Sequence, residues 1–171
     1  MRILSIDQST QISGWALFID KKHKSHGVID LHKNKNSQER TKEMYLSLMD
    51  LIKSQKPDVV VIEDVSMQTN VKTAIILARL QGAIILSCFL KNVPFHILAS
   101  SQWRKALSMK QGGIKREVLK AQDIEFANDY LKRTDLGEDE SDAICINIAY
   151  QKILKELKET PLNDPKNRKK S

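Results

Sequence analysis

Asp7 closes the opening apolar run Ile3-Leu4-Ser5-Ile6, Glu63 and Asp64 close the run Val59-Val60-Val61-Ile62, and Asp139 and Asp142 open an apolar helix. A carboxylate at the edge of a buried element costs stability unless it is paired or bound. Three such sites offer oxygen ligands to a hard divalent cation, which can activate water for attack on a phosphodiester. The pattern therefore implies a metal-dependent nuclease. Asp139 and Asp142 are three apart and share one helix face. Set against the strand ends carrying Asp7 and Glu63, they would make a four-carboxylate site for one or two magnesium ions, with manganese able to substitute. Like charges that close repel strongly without cations between them. Each acid also has a plain reading: Asp139 or Glu138 as a helix N-terminal acid, Asp7 as a turn residue. Glu63 resists that reading, because it ends a β-branched core strand.

The elements that must position these acids are legible in outline. Residues 3–7 and 14–19 read as strands joined by a turn at Ser13-Gly14, and residues 27–31 as a third strand of the same meander, with Lys21-Lys22-His23-Lys24 a solvated basic hairpin tip. Asn36 with Glu39 three residues on resembles a capping box, and Met44, Leu48, Leu51 and Ile52 follow at helical spacing. Residues 59–62 form a strand covered on both faces. Residues 71–91 form a second helix, apolar over much of its circumference, and residues 93–98 a short strand. Residues 115–133 form a third helix with Leu119, Phe126, Ala127 and Tyr130 towards the core. A final helix opens at the acids 138–142, a placement its dipole favours. The layout is α/β: a mixed central sheet flanked by helices, one domain over residues 1–159, then a flexible basic tail at 160–171 rich in Pro, Asn and Lys/Arg.

The chain has 171 residues and a net charge of +7 from 28 Lys+Arg against 21 Asp+Glu, which favours a polyanionic partner. Cys88 and Cys145 lie in apolar surroundings and read as buried free thiols, so neither a disulfide scaffold nor a cysteine metal site is expected. The chain opens directly into a strand pattern, without the charged and apolar regions of a signal peptide, and Arg79 and Gln81 interrupt the apolar stretch 74–90. The expectation is a cytoplasmic protein with no membrane partner. Trp15 and Trp103 read as packing residues rather than base-stacking platforms, and His23 and His26 lack further ligands for a metal.

Four segments together resemble a family. Ile-Asp-Gln-Ser-Thr…Gly-Trp (6–15), Val-Ile-Glu-Asp-Val (61–65), Ala-Arg-Leu-Gln-Gly-Ala (78–83) and Asp-Glu-Ser-Asp-Ala (139–143) are similar, in order and spacing over residues 1–155, to the RuvC-type Holliday-junction resolvases, the small phage members in particular. The resemblance implies an RNase H-like fold, a homodimer, magnesium, and paired nicking of four-way DNA in the cytoplasm of a bacterium or phage-infected host. It carries the four metal-binding acids onto Asp7, Glu63, Asp139 and Asp142, and basic residues beside the site onto Arg104 and Lys115.

A cation near the scissile phosphate offsets transition-state charge, so Lys115 is a catalytic candidate. Arg104, Lys105, Lys110, Lys115 and Arg116 are candidates for contact with DNA phosphates. The chain departs from the better-known bacterial members at Ser66, three residues after the glutamate, where an aromatic that can stack on an unpaired base often stands. The resemblance therefore does not extend sequence preference or junction opening to this chain. Two other readings stay open at this point: an RNase H-like nuclease acting on flaps or RNA–DNA hybrids, and a non-catalytic basic DNA-binding module. The actin-like phosphotransferases share the strand–turn start but need two such domains around a nucleotide, more than 171 residues supply.

Overall fold

The structure, a computed structural model, describes residues 1–66 and 70–159; the expected basic tail at 160–171 lies outside them. Strands β1 (Arg2–Asp7), β2 (Ile12–Ile19) and β3 (Lys22–Asp30) form an antiparallel meander, followed by helix α1 (Ser37–Gln55), β4 (Val59–Glu63), α2 (Val71–Leu90) and β5 (Phe95–Leu98). Three helices follow: α3 (Ser100–Ala106), α4 (Arg116–Leu131) and α5 (Glu138–Glu159). The five strands make one mixed sheet in the order β3-β2-β1-β4-β5, with β1, β4 and β5 mutually parallel.

Alternation along β1 and β4 divides the core into two layers. Leu4, Ile6, Val60 and Ile62 face Met44, Leu48 and Ile52 of α1 and Leu80, Ile84 and Cys88 of α2. Ile3, Val59 and Val61 face the α5 run Ala143–Ala149. All four residues from Val59 to Ile62 are buried, as expected of a strand covered on both faces. The polar Ser5, on the α5 side, is answered within the core: its Oγ donates to the Ala143 carbonyl (2.6 Å), while Asn147 Nδ2 of α5 donates to Ser5 Oγ and the Ile3 carbonyl, both at 3.0 Å. Buried donors and acceptors left unmade are costly, so this network fixes the axial register of α5 over the sheet.

Several sequence expectations are corrected. Ser13-Gly14 is not a turn but lies inside β2, Gly14 paired opposite Asp7. The hairpin tip is the two-residue turn Asp20-Lys21, both at positive φ (49° and 68°), and Lys22, His23 and Lys24 belong to β3. The positive φ pair matches the twist of the flanking strands. Helix α3 was not expected at all. On α4 the buried residues are Asp123 and Ala127, whereas Tyr130 is exposed. The Asn36 cap is observed, its side chain accepting from Gln38 N (3.0 Å) and Glu39 N (3.2 Å). Trp103 is fully buried, which removes it as a base-stacking surface, and both cysteines are free and buried.

Candidate active site

Parallel pairing of β1 with β4 puts Ile6 beside Ile62, so Asp7 and Glu63 leave the sheet as neighbours at one strand-end rim. The first turns of α5 cross the same rim and bring Asp142 and Asp139 to it. These four acids line one cleft of ≈ 690 Å³, shared with Arg104, Lys120 and others. An open, largely apolar cavity of ≈ 480 Å³ lies at the other end of β1, around Met1 and Leu154, away from the acids.

One glycine makes this assembly possible. A Cβ on Gly14 would sit 1.9 Å from the Asp139 carbonyl oxygen, backbone that cannot swing aside. The hydrogen side chain lets the start of α5 rest directly on β2, opposite Asp7. Gly14→Ala is expected to leave a folded protein whose α5 N-terminus is displaced from the rim. Its cleavage rate should fall by at least about tenfold, since misplacement on the ångström scale costs up to about a hundredfold in other enzymes. Circular dichroism alongside a cleavage assay checks this; full activity would refute the close-contact requirement.

The acids differ in environment. Asp142 is buried, and one of its oxygens, Oδ1, has no hydrogen-bond partner, while Oδ2 accepts from the Lys120 ammonium. Burial pushes the Asp142 carboxyl up to about 7, with Lys120 opposing the shift. Burial, reinforced by the charges of Glu63 and Asp142, holds the Asp7 carboxyl well above the ordinary range. Burial also raises Asp139, less enclosed at the cleft mouth.

Raised carboxyls make a stability prediction with a definite sign. They bind protons in the fold that the unfolded chain releases near pH 4. Their contribution is full below that pH and is lost as the pH rises through about 7. Without divalent ions the melting temperature should fall between about pH 5 and 8, and Asp142→Asn should flatten the slope. Thermal melts across that range in chelator test it; a slope unchanged in Asp142→Asn would remove Asp142 as its source.

The carboxylate of Glu63 is held from behind. Trp103 Nε1 donates to Glu63 Oε1 at 3.3 Å, and the Arg104 guanidinium lies 4.1 Å over the Trp103 ring. Arg104 is fixed in turn by buried Asp123 (Nη2–Oδ2 2.6 Å, Nε–Oδ1 3.3 Å). Arg104 lines the cleft, its side chain 11% exposed and its guanidinium bidentately paired with Asp123. At the main chain, Gln8 and Gln81 side chains both donate to the Glu63 carbonyl, at 3.1 and 2.9 Å.

Lys105, Lys110, Lys115 and Arg116 are all exposed. Arg116 lines the cleft and reaches Glu138 at 3.7 Å; Lys115 stands at the α4 N-cap. Lys120 is a cleft residue that the sequence did not single out. Its Nζ meets Asp142 and lies 3.0 Å from Glu138 Oε1. Burial disfavours its charge, but Asp142 and Asp7 more than reverse that and raise its pKa. The signal was present in α4: Lys120, Asp123 and Ala127 fall at i, i+3 and i+7, on one helix face.

Among the described residues, no three Asp, Glu, His or Cys side chains already converge tightly enough to share one ion. The donor set is nevertheless suited to one: hard carboxylate oxygens, including a buried unpartnered Asp142 Oδ1, beside acids whose burial disfavours their charge.

Residues 3–150 match the family model described as crossover junction endodeoxyribonuclease RuvC. The chain belongs to the RuvC family. It is similar to the crossover junction endodeoxyribonuclease RuvC of Brachyspira hyodysenteriae, 28% identical over 155 residues, covering 88% of this chain and 93% of that protein. It is likewise similar to the RuvC of Borrelia turicatae, 33% identical over 113 residues, covering 63% and 70%. Among solved structures, RuvC of T. thermophilus in complex with a Holliday junction substrate aligns with a TM-score of 0.71 at 15% identity, covering 91% of this chain and 96% of that one. Fowlpox virus resolvase with Holliday junction DNA aligns at 0.59, with 16% identity and coverage of 90% and 99%. The fold is thus RNase H-like, and the protein is a structure-selective endonuclease of the RuvC family.

Proposed function

We propose that this RuvC-family endonuclease resolves four-way DNA junctions by paired nicking, as a magnesium-dependent homodimer, with manganese able to substitute. The observation that carries the reading is the meeting of Asp7, Glu63 and Asp142 at one strand-end rim, with an unpartnered Asp142 oxygen inside the cleft. These three acids would hold the cation, with Asp139 at the mouth as the fourth ligand. When bound, the cation supplies activation of the attacking water and stabilisation of charge on the leaving oxygen. The chain's own residues do the rest. Trp103, braced by Arg104 and Asp123, keeps Glu63 turned to the cleft, and the two glutamines fix the end of its strand. Lys105, Lys110, Lys115 and Arg116 hold DNA phosphates, Lys115 closest to the chemistry in role. Branched DNA in the cytoplasm is the substrate this assigns.

The homodimer rests on α2. Its inner face buries Leu80, Ile84 and Cys88, while Val71, Ile75, Leu86, Phe89 and Leu90 remain exposed. By length and composition α2 is apolar enough to cross a membrane. Its inner face, however, packs into the core, and Gln81 and Ser87 hydrogen-bond to Glu63 and Tyr45. Gly82 lies on the exposed side, and a Cβ there would meet nothing within 4 Å. Glycine in a helix interior costs about 1 kcal/mol relative to alanine, and no close contact among the described residues requires it here. Close approach of a second α2 accounts for both features.

The test is magnesium-dependent cleavage of a synthetic four-way junction beside duplex, flap and RNA–DNA hybrid of matching sequence. Symmetric nicks in the junction alone are expected. Equal cleavage of flap or hybrid would assign a different RNase H-like activity, and binding without any cleavage would assign a DNA-binding module.

A further inference from the structure

We propose that Lys120 is the resident counter-cation of the carboxylate cleft, which a divalent ion must displace from Asp142 and which then remains with Glu138. The inference rests on the metal-site reading above and adds to it a competitor built into the chain. Asp142 is almost sealed from solvent, its side chain 2% exposed, and Lys120 reaches it with a side chain 18% exposed. Among the described residues no other cation is placed to do this: Arg104 is committed to Asp123, and the Arg116 side chain is 80% exposed and contacts Glu138. Lys120 already touches both Asp142 and Glu138, so its ammonium keeps one carboxylate partner when the other is taken.

The two oxygens of Asp142 show the competition. Oδ2 is occupied by Lys120 while Oδ1 has no partner. A divalent ion on Oδ1 would stand within a few ångströms of the ammonium, where like charges repel strongly. Without the ion, the ammonium offsets the mutual repulsion of Asp7, Glu63 and Asp142 and holds α4 to α5. Lys120 is therefore a positioning residue, setting how tightly the site takes its metal and keeping the empty protein folded.

Manganese binding to the full-length, DNA-free protein tests this, with free Mn2+ followed by paramagnetic resonance. Lys120→Met should bind Mn2+ at least about tenfold more tightly than wild type, because a unit charge at contact distance has been removed. Lys120→Arg, which keeps the charge, should show no such gain. In chelator Lys120→Met should melt lower than wild type, and saturating Mn2+ should close the gap. A second measurement needs no variant: reductive methylation of Lys120 in wild type, read by mass spectrometry, should speed up when Mn2+ is added. Equal or weaker Mn2+ binding by folded Lys120→Met, or methylation indifferent to Mn2+, overturns the proposal while leaving the metal site intact. Failure of wild type to bind Mn2+ at all would instead overturn the metal-site reading itself.

Discussion

Replacing Asp7 by asparagine is expected to lower junction cleavage by about three orders of magnitude, equivalent to roughly 4 kcal/mol of transition-state stabilisation. Glu63→Gln and Asp142→Asn should do the same, and Asp139→Asn somewhat less, since Glu138 and Glu140 are adjacent on the helix. Junction affinity should stay nearly unchanged in all four, because it comes from Lys and Arg contacts to phosphate rather than from the acids. Asp7→Asn carries a second, opposite effect. Burial and the charges of Glu63 and Asp142 already disfavour the Asp7 carboxylate. A neutral amide of the same shape should therefore leave the metal-free protein as stable as wild type near pH 8, or more so. Loss of turnover with a raised melting temperature marks a residue retained for chemistry at the expense of stability. Cleavage, binding and thermal melts on one preparation check all three statements. A variant with near-normal turnover would remove its residue from the metal site.

The parts of this site that were legible in sequence are those written locally. Asp7 and Glu63 announce themselves because each follows a mainly apolar run, broken only by Ser5 ahead of Asp7, and the Asn36 cap because its partners are two and three residues away. Acids 138–142 were legible as a helix start. What sequence did not carry are contacts between elements distant in the chain. Arg104 and Lys120 look alike as cations in a polar stretch, yet one is enclosed by Asp123 and the other by Asp142. Which cation meets which acid depends on how α3, α4 and α5 pack, and short α3 has too few residues to show a periodicity. Gly14 was read as a turn because glycine often serves there. Its actual requirement is set by Asp139, 125 positions later, through an approach no local pattern encodes. The same limit explains Tyr130 and Asp123: aromatic residues predict a buried face, but the ion pair with Arg104 turned α4 to bury the aspartate.

Introducing a charge on the outer face of α2 is expected to convert the protein into monomers. Leu86→Glu is the suitable variant: Leu86 is 54% exposed and, among the described residues, belongs to neither layer of the hydrophobic core, whereas Phe89 packs edge-on against Phe95. Enclosing an unpaired carboxylate between two helices costs several kcal/mol, so the dimer dissociation constant should rise at least about a hundredfold. The fold should persist, because the inner face of α2 with Leu80, Ile84 and Cys88 is untouched. The consequence for function follows from symmetry. A four-way junction presents two equivalent strands, and a two-fold dimer carries one acid cleft to each. Monomers keep a complete cleft, since all four acids come from one chain, so they should still nick. They should not make the second nick within the lifetime of one complex. Sedimentation velocity and a cruciform plasmid, which separates single from paired nicks, measure the two effects together. If wild type itself sediments as a monomer at micromolar concentration, with and without junction DNA, paired nicking fails and a single-strand nicking enzyme takes its place.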